Sequence, residues 1–330
     1  MDDFNQKIVE PFNPLERSLV VIILVACSIS LVLYGVIIYI LLIRNRSEFK
    51  SNNAKFIKAM VIVNAFYVFC FLIFTSLNAP QMRWSFGYEG CIISYCFTIF
   101  PVTFLIHIQN VMMFDLVRTI VFRLPQLSNA FADFTIYYSA VSSAVITSSS
   151  FWGKEIISPP SLQIFRLFCD FDFREHKPLI LFGTYFFSAS TIVTPILIGS
   201  VYCKILMMMY QAKKELSKST SNLAVKLGKK EYEFAMRGIL FTSGNAFAWY
   251  FFAGKILYES THQQYVSDAY ELVSDLFLSG NILFTTPVLL TVLDTRFRAI
   301  LYEMFVGKPA IKHFKSQTLL KSEQKNIASH

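Results

Sequence analysis

Charge is scarce in this chain. Asp, Glu, Lys and Arg make up 16% of its 330 residues, against roughly 25% in soluble domains. That is too few polar groups to cover a water-facing surface of this size, so a soluble enzyme or binding domain is excluded. Cysteine is sparse as well. There are six, with no CxxC pair and no His/Cys grouping, which excludes a cysteine-stapled secreted domain and gives a metal site no support. Catalytic signatures are missing: there is no GxSxG, no HExxH and no Gly-rich phosphate loop. The expectation is a protein that is not an enzyme and carries no cofactor. No internal repeat is visible, so a transporter built from two matching halves gains no support. The first 17 residues are polar and lack a basic segment followed by a short apolar one. No cleaved signal peptide is expected, and the first span serves as its own insertion signal.

What is present is apolar bulk. Hydrophobic residues account for 54% of the chain, and Phe alone occurs 34 times. Crossing roughly 30 Å of hydrocarbon takes about 20 mainly apolar residues. Seven segments meet that need: 18–43, 59–77, 91–113, 131–151, 179–209, 238–258 and 269–293. The fourth is the weakest, being rich in Ser and Thr and including Asp133. The fold class expected is therefore an all-α membrane protein, a bundle of seven transmembrane helices. It divides into a tail (1–17), the bundle (18–293) and a juxtamembrane segment with its tail (294–330). Residues 295–305 place Phe297, Ile300, Leu301, Met304 and Phe305 at helical spacing, which predicts a short amphipathic helix along the membrane surface.

The positions of the basic residues predict orientation. With the N-terminus outside, 21 Lys and Arg fall in the inner connections and 7 in the outer ones, so the N-terminus is expected to be extracellular and the C-terminus cytoplasmic. The net charge of +8 does not indicate a nucleic-acid partner, because the charges are spread between apolar runs and are not gathered on one face. The Lys-rich connection from Lys213 to Lys230, with Lys213, Lys214, Lys229 and Lys230, either sets topology or meets anionic lipid or a cytoplasmic partner. Asn45-Arg46-Ser47 falls on the cytoplasmic side and is expected to stay unglycosylated.

Ionisable residues inside spans are costly and mark candidate sites. Lys255, in span six, either snorkels to the interface or pairs with a carboxylate. Glu271 and Asp275 are four apart and share one face of span seven; they either tie two helices together or line a ligand cavity. Asn245 and Trp249 are also four apart and point to core packing. His107, the lone histidine in a span, reads first as a helix-to-helix hydrogen bond. Cys91 at the outer mouth of span three and Cys169 in the connection between spans four and five both face an oxidising side, which permits a bridge.

These features resemble G-protein-coupled receptors. Cys91 precedes Asp115 by 24 positions, the spacing between the span-three cysteine and the Asp-Arg-Tyr acid in rhodopsin-like receptors. Thr286-Pro287 stands where span seven would carry Asn-Pro-x-x-Tyr, Phe297 where the following helix has its aromatic anchor, and Pro195 within span five. The departures are equally plain. Leu116 follows Asp115, with Arg118 the nearest arginine. Span two has Asn64 and no Asp, Tyr34-Gly35 replaces a Gly-Asn pair, and span six lacks a proline near Trp249. Such losses, and the segment from Glu271 to Arg298, look like nematode serpentine chemoreceptors of the gamma superfamily or a relative.

The resemblance implies a plasma-membrane chemoreceptor, of the kind found in sensory cilia. It would take an external small-molecule ligand and signal to a heterotrimeric G protein by a ligand-driven rearrangement of helices. Thr98, Lys255, Glu271 and Asp275 would line the ligand cavity; Cys91 and Cys169 would form the disulfide; Asp115, Arg118 and Pro287 would act in the switch; and the four lysines would face the G protein. The alternatives are a seven-span transporter or channel, which needs a path of ionisable residues near the midplane, and a receptor-like protein without G-protein coupling.

Overall fold

The computed structural model describes residues 14–44, 52–81, 86–125, 127–148, 161–162, 169–170, 174, 185, 189, 193, 196–208, 210–211, 243, 247, 249–293 and 295–306. The chain divides into two compact units, Met1–Thr286 and Pro287–His330. The first holds α1 (Pro14–Ile38), extended by a π-helical turn at Tyr39–Arg44, then α2 (Asn52–Asn78), α3 (Gly87–Ile120) and α4 (Asn129–Ser148). It continues with α5 (Ile196–Met208), α6 (249–262) and α7 (Asp268–Gly280), and α7 runs on into a π-helical segment, Asn281–Thr285. Helix α8 (Thr286–Leu293) follows directly. Strands β1 (Ser161–Leu162) and β2 (Cys169–Asp170) form a two-residue antiparallel ladder, Ser161 opposite Asp170 and Leu162 opposite Cys169.

Four helical stretches among the described residues are long and apolar enough to cross a membrane: Arg17–Ile43, Ala54–Gln81, Glu89–Thr119 and Ala269–Thr291. The shortest has 23 residues, about 35 Å at 1.5 Å per residue. The protein is an integral membrane protein. Helix α4 covers expected span four, while α5 and α6 are the described parts of spans five and six. Helices α2 and α3 overrun the apolar stretches read from sequence, starting at Asn52 and ending at Ile120. At the start of α2, long basic side chains such as Lys55, which reaches Asp133, let the helix continue beyond the apolar stretch.

Helix α1 shows how the units are built. Val20, Cys27, Tyr34 and Leu41, seven apart, are buried with Ser30 and Ile37, whereas Val21, Ile22, Val25, Ile29 and Val32 are exposed. An apolar exposed stripe of this length is what lipid contact requires, and the seven-residue repeat is the seam of a helix-on-helix contact. Along that seam α1 packs on α2; α2 packs on α3, and α3 on α4. Met113 and Val117 of α3 meet Val201 and Ile205 of α5. Helix α7 begins at Ser267, whose hydroxyl accepts from the Tyr270 N–H as an N-cap.

The second unit contains the remainder of α8 and, after it, α9 (Thr295–Val306). In α9, Phe297 and Ile300 are buried while Tyr302, Phe305 and Val306 are exposed, so the expected amphipathic helix is present, with Phe305 off its buried face.

Candidate functional site

Two turns of α6 and α7 bring together part of what the sequence singled out. Lys255 Nζ donates to Glu271 Oε1 at 3.2 Å, and the two side chains are 2% and 3% exposed. Lys255 therefore does not snorkel. The ammonium sits between two helices because the α6–α7 connection is short enough to fold a carboxylate directly over it. Asp275, one turn further along the same face, is also buried. The acid that sequence reasoning missed is Glu259. It is four residues after Lys255, hence on the same face of α6, and only 2% exposed. An apolar-window reading ends span six at Tyr258, one residue short of it. The i+4 spacing from Lys255 was the available signal.

Neighbouring contacts fix this end of the bundle. Tyr270 Oη donates to the Phe251 carbonyl at 3.1 Å, and it does so across Gly254, where a Cβ would lie 2.4 Å from that oxygen. A side chain there would displace the Tyr270 hydroxyl from that bond. The Phe251 and Phe277 rings stack at 4.5 Å with an interplanar angle of 10°. Beyond the helices, the Arg174 guanidinium lies 3.6 Å from the Tyr265 ring centroid and donates to its hydroxyl at 2.7 Å. Among the described residues no group of three His, Cys, Asp or Glu is arranged to hold a metal ion.

Thr98 lies elsewhere, in a crevice between α2 and α3 lined by Tyr67, Phe71, Phe74, Ser94 and Phe97. Its hydroxyl donates to the Ser94 carbonyl at 2.9 Å, so its own helix already occupies the donor. Deeper in the bundle, Trp249 Nε1 donates to Gln109 Oε1 at 3.1 Å, joining α6 to α3. Trp249 is buried as expected, but through a polar link that packing alone did not foretell. Asn245 lies outside the described residues. His107 approaches Ser142 Oγ at 3.4 Å, the helix-to-helix contact anticipated for it.

Further along α7 is a second polar knot. Ser30 Oγ donates to the Leu283 carbonyl at 2.7 Å, and Tyr34 Oη to the Ile282 carbonyl at 2.5 Å. A π-helical turn loosens the backbone ladder, and α1 supplies donors to two of its carbonyls. Asn64 Nδ2 donates to Thr286 Oγ1 at 3.1 Å. Residues read as departures, Tyr34 and Asn64, thus both fasten to this stretch of the chain.

At the α3–α4 turn, Asp115 is buried and Oδ1 accepts from the Leu127 N–H at 3.0 Å, fastening the connection to α3. Arg118 Nε is buried without a hydrogen-bond partner among the described residues. Lys55 bonds both oxygens of Asp133 at 2.7 Å, tying α2 to α4. Pro287 is buried within α8. Lys213, Lys214, Lys229 and Lys230 lie outside the described residues, as does the side chain of Cys169, whose backbone forms part of β2.

No protein-family model matches the chain, and no sequence among the curated proteins does so. Among solved structures it is similar to squid rhodopsin, with a TM-score of 0.73 and 15% identity over 90% of this chain and 87% of that one. At that identity the likeness establishes the fold alone, a helical bundle like that of squid rhodopsin.

Proposed function

We propose that the protein is a seven-span receptor of the G-protein-coupled type, a chemoreceptor for an external small molecule, with its N-terminus outside and its C-terminus in the cytoplasm. The observation that carries this reading is the buried Lys255–Glu271 pair with Asp275 beside it. Ionisable groups gathered at one end of the bundle suit recognition of a solute arriving from that side. A transporter would distribute them along a path through the midplane. Thr98 belongs to the same proposal as a contact reached through the α2–α3 crevice.

Binding that favours one arrangement of α6 against α3 would break or keep the Trp249–Gln109 link and shift the population of receptor states. Asp115, Arg118 and Pro287 are the switch residues of this reading, and the lysine-rich connection, with Lys213, Lys214, Lys229 and Lys230, the surface for a heterotrimeric G protein or anionic lipid. A Cys91–Cys169 disulfide belongs to it as well. In support, Cys91 is buried, the free cysteines among the described residues are Cys27, Cys70, Cys96 and Cys203, and β2 lies against α3. The serpentine chemoreceptor families of nematodes remain the resemblance that suggests plasma membrane of sensory cilia.

The test is ligand-screened GTP exchange in membranes containing the protein, with Asp275→Ala alongside. Agonist-driven exchange in the parent that is lost in the variant at equal surface expression supports receptor and site together. A second reading, a receptor-like protein without G-protein coupling, is favoured by one observation: no Arg follows Asp115, and the carboxylate is engaged by the Leu127 N–H. Ligand binding without exchange on any G protein selects that reading, and ionic currents or uptake select a transporter.

A further inference from the structure

Glu271 offers two oxygens, and only one is used. Oε1 takes the Lys255 ammonium, whereas Oε2 is buried with no hydrogen-bond partner among the described residues. Three residues on, and so on the same face of α7, Ser274 is 0% exposed and its hydroxyl likewise has no partner among the described residues. Helical Ser and Thr normally satisfy that group on the carbonyl one turn back, as Ser28, Thr75 and Ser200 do in this protein. Ser274 does not. Two neighbouring oxygens on one buried face therefore await a hydrogen-bond donor.

The chemistry of the donor follows from what surrounds it. A carboxylate oxygen only accepts, and its strongest partner is a charged N–H. Asp275 and Glu259, each one helical turn from a member of the pair and both buried, add negative potential and disfavour an anionic ligand. A metal ion is a poor fit, because the carboxylates do not converge as ligands. A primary ammonium has three N–H groups, enough to bond Glu271 Oε2 and Ser274 Oγ together.

We infer that this end of α6 and α7 binds a protonated primary amine, held by Glu271 Oε2 and Ser274 Oγ. The inference rests on the receptor reading above for the idea that an external molecule arrives here at all, but amine binding needs no G protein to be observed.

The experiment uses the full-length chain in detergent micelles at neutral pH and two matched probe pairs, 2-phenylethylamine with 2-phenylethanol and hexylamine with 1-hexanol. Thermal unfolding and titration calorimetry are the readouts. The amines are expected to raise the unfolding temperature and to bind saturably, their alcohol partners not. Ser274→Ala, which removes only the hydroxyl, is expected to weaken amine binding about tenfold, the loss of one charge-assisted hydrogen bond. Glu271→Gln abolishes it, and because that variant also disturbs Lys255, Ser274→Ala is the deciding one. Equal effects of amine and alcohol, no effect of either amine, or unchanged affinity in Ser274→Ala each overturn the inference. Amine binding without GTP exchange upholds the site and removes coupling. Exchange driven by another ligand class, with amines inert, removes the site and keeps the receptor.

Discussion

Replacing Lys255 by methionine keeps the length of the side chain and removes its charge. In the parent, Glu271 Oε1 has the ammonium at 3.2 Å and Oε2 has no hydrogen-bond partner among the described residues. After Lys255→Met the carboxylate, 3% exposed, is left with neither oxygen bonded. Removing one partner of a buried ion pair costs about 3–5 kcal/mol, and Glu271 answers by taking up a proton or by pulling α7 away from α6. Removing both charges has a different outcome. Lys255→Met with Glu271→Leu removes the cation together with the carboxylate it bonds, and replacements of that kind are near neutral or stabilising.

The double variant is therefore expected within about 1 kcal/mol of the parent, so the two single losses fail to add by at least about 3 kcal/mol in the four-member cycle. Reversible unfolding in mixed detergent and dodecyl sulfate micelles, followed by helical circular dichroism, measures all four proteins. A loss below about 0.5 kcal/mol for Lys255→Met, or a coupling near zero, would refute the claim that the pair is buried and mutually dependent.

Other positions give independent checks. Gly254→Ala drives a Cβ to 2.4 Å from the Tyr270 hydroxyl oxygen; the expected loss is about 1–3 kcal/mol, and adding Tyr270→Phe recovers most of it in the same unfolding assay. Asp115→Ala leaves the Leu127 N–H without its acceptor, at about 1–3 kcal/mol. Hydrogen exchange at that amide should accelerate while protection of α1 stays unchanged. Trp249→Phe orphans the buried Gln109 Oε1 and should cost about 1–2 kcal/mol. Combining it with Gln109→Leu should restore stability if the link is local.

The sequence displayed whatever depends on composition and local period. The charge-free run of span one, the shared face of Glu271 and Asp275, and the short helix after span seven all follow from counting residues, and all three are present. Contacts between segments far apart in the chain were not legible. Tyr34 and Asn64 looked like lost motif residues, yet they bond Ile282 and Thr286 across separations of 248 and 222 residues. Asp115 was read as half of a displaced switch. Its acceptor role toward Leu127 depends on how the α3–α4 connection folds back, which no spacing reveals. Glu259 was hidden for a simpler reason: hydropathy ends a span where the charge begins, whereas the helix goes on to 262.

The π-helical segment at Asn281–Thr285 has a bearing on biogenesis. Its Ile282 and Leu283 carbonyls accept hydroxyls from α1, which is synthesised before it. Lipid offers no donor that could replace these hydroxyls, so the contact contributes only when both helices are in place. Pairing of α1 with this segment thus waits until Asn281–Thr285 has been made. Nascent chains stalled before Asn281 should stay with the insertion machinery, and release as rapid as that of full-length chains would contradict this order of assembly.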